Sequence, residues 1–184
     1  MPRAMQYCLG TQMRAEKGDA SAMMIREATA ADWPAIWLIL QEEGTGGETL
    51  TWDPARSEGR ARAGWMRELP GRTFVAVDDD GTVIATADTH PIHPGPGGHV
   101  ANAGFVVHPA HRGHGVGRAL CRHALDQARA DGYRAMQFNA VVETNTTAIR
   151  LWRSLGFEIL ATIPQAFRHP AHGYVGLHIM YRAL

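Results

Sequence analysis

Apolar positions along the chain fall into blocks of two different periods. From Met24 the residues MIRE read as a short strand, and Asp32 before Trp33-Pro34 opens a helix in which Ile36, Ile39 and Leu40 recur at helical spacing. That helix stops at the glycine-rich EEGTGGET, and a second is predicted over 54–69, closed by Pro70-Gly71. Two β-rich runs follow, 73–77 and 83–90, with Asp80-Gly81 between them as a hairpin signal. After the Pro/Gly loop PIHPGPGGH comes a buried strand over 99–107. A helix then starts at Gly117, with Leu120, Ala124, Leu125 and Ala128 on one face and Gly132 as its C-cap. The strand 135–142 and a helix over 145–155 come next, with Ala148, Leu151, Trp152 and Leu155 on one side and Gly156 as the stop. Strands at 158–163 and 174–181 end the pattern, joined by a long loop over 165–174. This order predicts an α/β (α+β) domain: a mixed sheet with helices on both faces. Residues 1–22 show no period and read as a flexible tail, leaving 23–184 as the folded domain.

Composition narrows the partners. The chain has 184 residues, 45% of them hydrophobic, and a formal net charge of zero, so no bulk field recruits nucleic acid. Cys8 and Cys121 are too few for a disulfide framework and read as reduced thiols. There is no apolar run of membrane-spanning length and no apolar signal core near the start, so the expected setting is cytoplasmic.

The most informative stretch is residues 107–120, VHPAHRGHGVGRAL. It sets Gly113, Gly115 and Gly117 between a strand and a helix, flanked by Arg112 and Arg118. Amides at a helix start have no partners within the helix, and the helix dipole makes that end positive. Glycines let those amides converge into an anion nest. The third glycine of a dinucleotide loop is missing, since Leu120 stands in its place, and the Lys-Ser/Thr of a P-loop is also missing.

Arg112-x-x-Gly115-x-Gly117 resembles the acetyl-CoA pyrophosphate loop of the GCN5-related N-acetyltransferases. Asn145, Ala148, Trp152, Gly156 and Phe157, in NTTAIRLWRSLGF, fit that family's second signature in the right order. The resemblance spans roughly residues 24–182. It implies a mostly antiparallel sheet of six to seven strands with one splayed pair, and acetyl-CoA wedged in the splay. Phe105, Val106 and Val107 would hold the pantetheine arm by backbone groups. Arg112, Gly113, His114, Gly115, Val116, Gly117 and Arg118 would hold the pyrophosphate. Asn145 and Trp152 would lie against the cofactor arm, although Asn145 also reads as a plain helix N-cap.

The sequence departs from the family in its acid–base residues. Trp152 stands where many members carry a tyrosine acid, and Asn102 where many carry a glutamate base. Three routes remain: departure of the thiolate without an acid, water-borne proton transfer to Asp88, His90 or His108, or a weakly basic acceptor. Asp88 and His90 read individually as solvated strand-end residues. MQFNAVVETNTTAIRLWRSLGF is similar to yeast acetyltransferases acting on proline analogues such as azetidine-2-carboxylate, which places Asn102 and Asn139 on the acceptor. Glu48 and Trp52, in the loop GTGGETLTW, are further acceptor-side candidates. Three functions stay open: acetylation of a small-molecule amine such as an amino acid, acetylation of a protein or peptide, and a non-catalytic acetyl-CoA sensor. The 165–174 loop is expected to cover the cleft, which favours a small acceptor, or to join a second copy in a homodimer. Metal-binding histidines need convergent geometry and usually carboxylate or cysteine company, so no metal is expected at His108, His111 and His114 or at His90, His93 and His99.

Overall fold

The computed structural model describes residues 23–53 and 55–184; the expected tail over 1–22, with Cys8, and Pro54 lie outside the described residues. Seven strands form one sheet in the order β1-β2-β3-β4-β5-β7-β6. They are β1 (Met24–Glu27), β2 (Arg72–Val77), β3 (Val83–Pro91), β4 (Val100–Val107), β5 (Ala135–Val142), β6 (Glu158–His169) and β7 (Gly173–Ala183). All neighbours run antiparallel except β4 and β5. That parallel pair is joined only at Val100–Ala135 and Ala101–Met136. From Asn102 onward the two strands part, and a register shift in β5 between Phe138 and Val141 accompanies the opening.

Four helices cover the faces: α1 (Trp33–Gly46), α2 (Glu58–Trp65), α3 (Val116–Ala130) and α4 (Thr146–Ser154). Strand alternation sorts them. Val75, Val77 and Val106 pack with Ile36, Ile39, Trp33 and Trp65 under α1 and α2. Phe74, Ala85 and Ala87 pack with Leu120 and Ala124 under α3. Under α4, Trp152, Phe138 and Phe157 form an aromatic cluster, with Phe138 and Phe157 stacked at 4.2 Å.

Three boundaries differ from the sequence reading. First, α1 runs on through the glycine-rich segment to Gly46, capped by Gly47 at φ 62°. Second, α2 covers 58–65 rather than 54–69 because the buried Thr73 hydroxyl intervenes. It donates to Trp65 O (2.7 Å) and accepts from Arg67 N–H (2.9 Å), which peels the chain off the helix. Third, the 165–174 loop is mostly strand. β6 and β7 stay paired as far as His169–Gly173, so a hairpin arm projects past the sheet. Buried His169 accepts the Ala171 N–H through Nδ1 (3.1 Å), and Gly173 takes φ 69°, which makes the reversal tight. Pro164 is tolerated because β6 is an edge strand.

Candidate active site

The donor side is built where β4 ends. His108 N–H donates to Ile84 O on β3, so alternation turns the Val107 and Phe105 amides toward the parting of β4 and β5. The Val106 amide faces β3 instead, and its side chain is buried under α1. A short turn then leads to Gly113 and Gly115 at φ 81° and 82°, where L residues with a Cβ are strained. A Cβ on either would meet nothing within 4 Å. Gly115 O accepts the first helical bond, from Ala119 N–H, which leaves the amides of Val116, Gly117 and Arg118 ahead of the intrahelical ladder. These amides, ahead of the intrahelical ladder at a positive helix end, fit a pyrophosphate.

The flanking groups are already positioned. Arg112 Nε donates to Val107 O (3.3 Å), and its terminal nitrogen pairs with Glu43 on α1, which also accepts from Thr49 Oγ1. Arg118 donates to Ser154 Oγ on α4 (2.9 Å). His114 is exposed in the loop. Asn145 Oδ1 accepts the Ala148 N–H (3.1 Å), so the asparagine serves as the N-cap of α4. Trp152 is buried, with its ring 5.2 Å from Phe105 and 5.0 Å from Phe138.

A second cluster of polar side chains lies on the α1–α2 face. Trp65 donates through Nε1 to Thr86 Oγ1 (2.9 Å), and residues 86, 88 and 90 share that face of β3. Asp88 is 3% exposed, not the solvated strand end that its position in sequence suggests. Its Oδ2 accepts from Arg67 Nε (2.8 Å) and lies 3.0 Å from His90 Nδ1, while its Oδ1 accepts the Gly104 N–H (3.2 Å). Arg67 and the amide can only donate, so Asp88 accepts from all three. That network assigns the His90 proton to Nδ1 and leaves the lone pair on Nε2. Nε2 faces Asn102 Nδ2 at 3.5 Å, at the apex where β4 and β5 part. His108 is otherwise engaged: its Nδ1 accepts from Ala110 N–H (3.2 Å), and its Nε2 lies 3.4 Å from Glu42.

Gly104 makes this arrangement possible. A Cβ there would stand 2.7 Å from Asp88 Oδ1 and 3.1 Å from the Trp65 ring. Gly104→Ala should therefore cost about 1–3 kcal/mol of stability by overpacking. Thermal unfolding of the purified variant checks this.

A cleft of about 530 Å³ lies between the α1–α2 connection, β5 and the β6–β7 arm. Trp52 lines it, packed edge-on against Trp65 at 5.5 Å and with Arg56 over its ring at 4.4 Å. Asn139 is exposed on β5 next to cleft-lining Ala140 and accepts from Gln137 Nε2 (2.8 Å). Glu48 is exposed and outside the lining. A second hollow, about 440 Å³, lies at the far end of β4 by Leu69 and Tyr133. Its one charged lining residue, Asp131, is already paired with Arg72, so it lacks groups for this chemistry.

Sequence reasoning missed Arg67 and Gly104. The Asp-x-His spacing on a strand was the available signal, because it puts both side chains on one face. Nothing local marks Arg67, which reaches Asp88 across 21 positions. Burial pushes the Cys121 thiol up to about 12, which makes it a packing group. Among the described residues, no three or more His, Cys, Asp or Glu converge as metal ligands, and no helix is long and apolar enough to cross a membrane.

Comparison with known proteins identifies the family and fold. A family model described as "Acetyltransferase (GNAT) family" matches residues 29–157. N-acetyltransferase aca1 of Schizosaccharomyces pombe is 35% identical over 111 residues, which are 60% of this chain and 53% of that protein. The chain thus spans about half the length of that yeast relative. The L-methionine sulfoximine/L-methionine sulfone acetyltransferase of Salmonella typhimurium is 31% identical over 78% of this chain and 84% of its own length. The solved structure of a GCN5-related N-acetyltransferase from Kribbella flavida superposes with a TM-score of 0.86 at 54% identity, covering 88% of this chain and 98% of that one.

Proposed function

The chain belongs to the acetyltransferase (GNAT) family, whose acetyl donor is acetyl-CoA, and from that premise we propose that it acetylates the amine of a small amino acid or amino-acid analogue. The observation that carries the reading is the parting of β4 and β5, which has the glycine nest at one end and the Asp88–His90 pair at the other. When bound, the donor supplies an activated acetyl thioester. The amides of Val116, Gly117 and Arg118 bind its pyrophosphate, and the Phe105 and Val107 amides align the arm along β4.

His90 Nε2 takes the proton from the attacking amine. Asp88 fixes the tautomer and stabilises the imidazolium, as in other carboxylate–imidazole pairs. Arg67 and the Gly104 amide hold Asp88 in place. Asn102 orients the amine or a water between it and His90. No acid is needed for the thiolate, since a thiol with a pKa near ~8.5 leaves tolerably well. The preference for an amino-acid acceptor draws on the Salmonella relative and on a cleft walled by the β6–β7 arm.

The test is release of free thiol from acetyl-CoA across a panel of amines: methionine sulfone and sulfoximine, proline analogues, polyamines and lysine peptides. Release with the amino-acid class is expected. Release with lysine peptides alone would replace the reading by a protein acetyltransferase. Silence throughout, with acetyl-CoA still bound, would replace it by a sensor.

A further inference from the structure

We infer that Arg168 is the anion anchor of the cleft of about 530 Å³ lined by Trp52 and the β6–β7 arm, holding the carboxylate of an amino-acid acceptor there. The inference rests on the acetyl-transfer reading above for the identity of the cleft as the acceptor site. Arg168 is the one charged side chain among the residues that line it. Its surroundings there are apolar or small: Trp52, Leu50, Phe167, Leu177 and Ala140. An apolar slot with a single cation suits a ligand that combines an apolar body with one anionic group.

The guanidinium is free to take that role. Among the described residues no carboxylate pairs with Arg168 and no hydrogen bond from it forms, whereas Arg67, Arg72 and Arg112 are all committed to acids. Its backbone is also fixed. Arg168 pairs with Tyr174 across the arm, and its neighbour His169 is buried, accepts the Ala171 N–H and packs on His172 at 4.6 Å. A guanidinium carried on a paired strand offers a planar fork to a carboxylate.

Arg168 has no part in donor binding, because the cleft lies on the α1–α2 side and the nest belongs to the start of α3. The lining also contains no acid. Polycationic acceptors therefore meet a like charge with nothing to offset it, and free amino acids meet a partner.

Titration calorimetry with L-methionine sulfone and with its carboxamide tests this directly. Wild type should bind the acid at least about tenfold more tightly than the amide. Arg168→Gln should raise the Kd of the acid by about tenfold to a hundredfold and leave the carboxamide and acetyl-CoA within about twofold. Arg168→Lys should retain part of the difference. Equal binding of acid and amide by wild type, no binding of the acid, or equal weakening of both ligands in Arg168→Gln would each overturn the assignment. Thiol release is read separately. A protein that discriminates the acid through Arg168 but releases no thiol keeps the anchor and loses the acetyl transfer. A protein that acetylates acid and amide alike keeps the transfer and loses the anchor.

Discussion

Gly117→Glu is expected to fold normally and to raise the Kd for acetyl-CoA at least about a hundredfold. The position accepts a side chain: a Cβ on Gly117 would sit 3.5 Å from Val107 Cγ2 and 3.5 Å from Leu151 Cδ2, ordinary van der Waals distances. Its φ is also outside the left-handed region that Gly113 and Gly115 occupy. What changes is charge. A carboxylate in the first turn of α3 neutralises the amides that would meet the pyrophosphate, and it repels the phosphates themselves. At about 4 Å and an effective dielectric near 20, one such repulsion is worth roughly 4 kcal/mol, about a thousandfold in Kd before screening by salt. Gly117→Gln has the same shape without the charge and should lose much less, so the ratio of the two variants isolates the electrostatic part. Gly115→Glu should lose affinity as well, with added strain of about 1–2 kcal/mol from its φ of 82°. Isothermal titration with acetyl-CoA, alongside thermal unfolding, reads all three. An affinity for Gly117→Glu within threefold of wild type would remove the nest from the donor site.

The donor end was far more legible in sequence than the acceptor end, for a physical reason. A helix-start nest is local: its glycines, its flanking arginines and the helix it opens lie within one run of fourteen residues, 107–120. The β-rich run AMQFNAVV likewise gave β5 its bounds, because residues 135–142 form a single element. The errors came where distant groups decide the outcome. Thr73 ends α2 from a neighbouring strand, and His169 and Gly173 turn a loop-like sequence into a paired arm. Asp88 reads as a solvated residue in sequence because Trp65, Arg67 and Gly104, which surround and bond it, come from two other segments, the end of α2 and β4. Asn145 and Trp152 show the reverse case. Both fit a family motif, yet their immediate contacts are a helix cap and an aromatic core. A motif can mark a fold through residues that serve its packing.

The second large effect concerns the proton. His90→Gln should lower kcat by about 10²–10⁴-fold while leaving the Kd for acetyl-CoA unchanged, because the imidazole lies across the sheet opening from the nest. Glutamine can still donate to Asp88, so the buried carboxylate stays satisfied and the fold should hold; Asp88→Asn is less clean, since it leaves Arg67 beside a neutral amide. A merely structural role for His90 would lower the melting temperature or the affinity for acceptor. A base role instead lowers kcat and removes the limb of the pH–rate profile that imidazole protonation imposes. The companion variant is Asn102→Glu, which restores a carboxylate at the residue facing His90 Nε2, 3.5 Å away in the native chain. In the His90→Gln background it should recover part of kcat, since a carboxylate at the apex can accept the proton in place of the imidazole. A kcat for His90→Gln within threefold of wild type, with the pH profile unmoved, would show that the amine loses its proton to solvent and that the Asp88–His90 pair only braces β3 against β4.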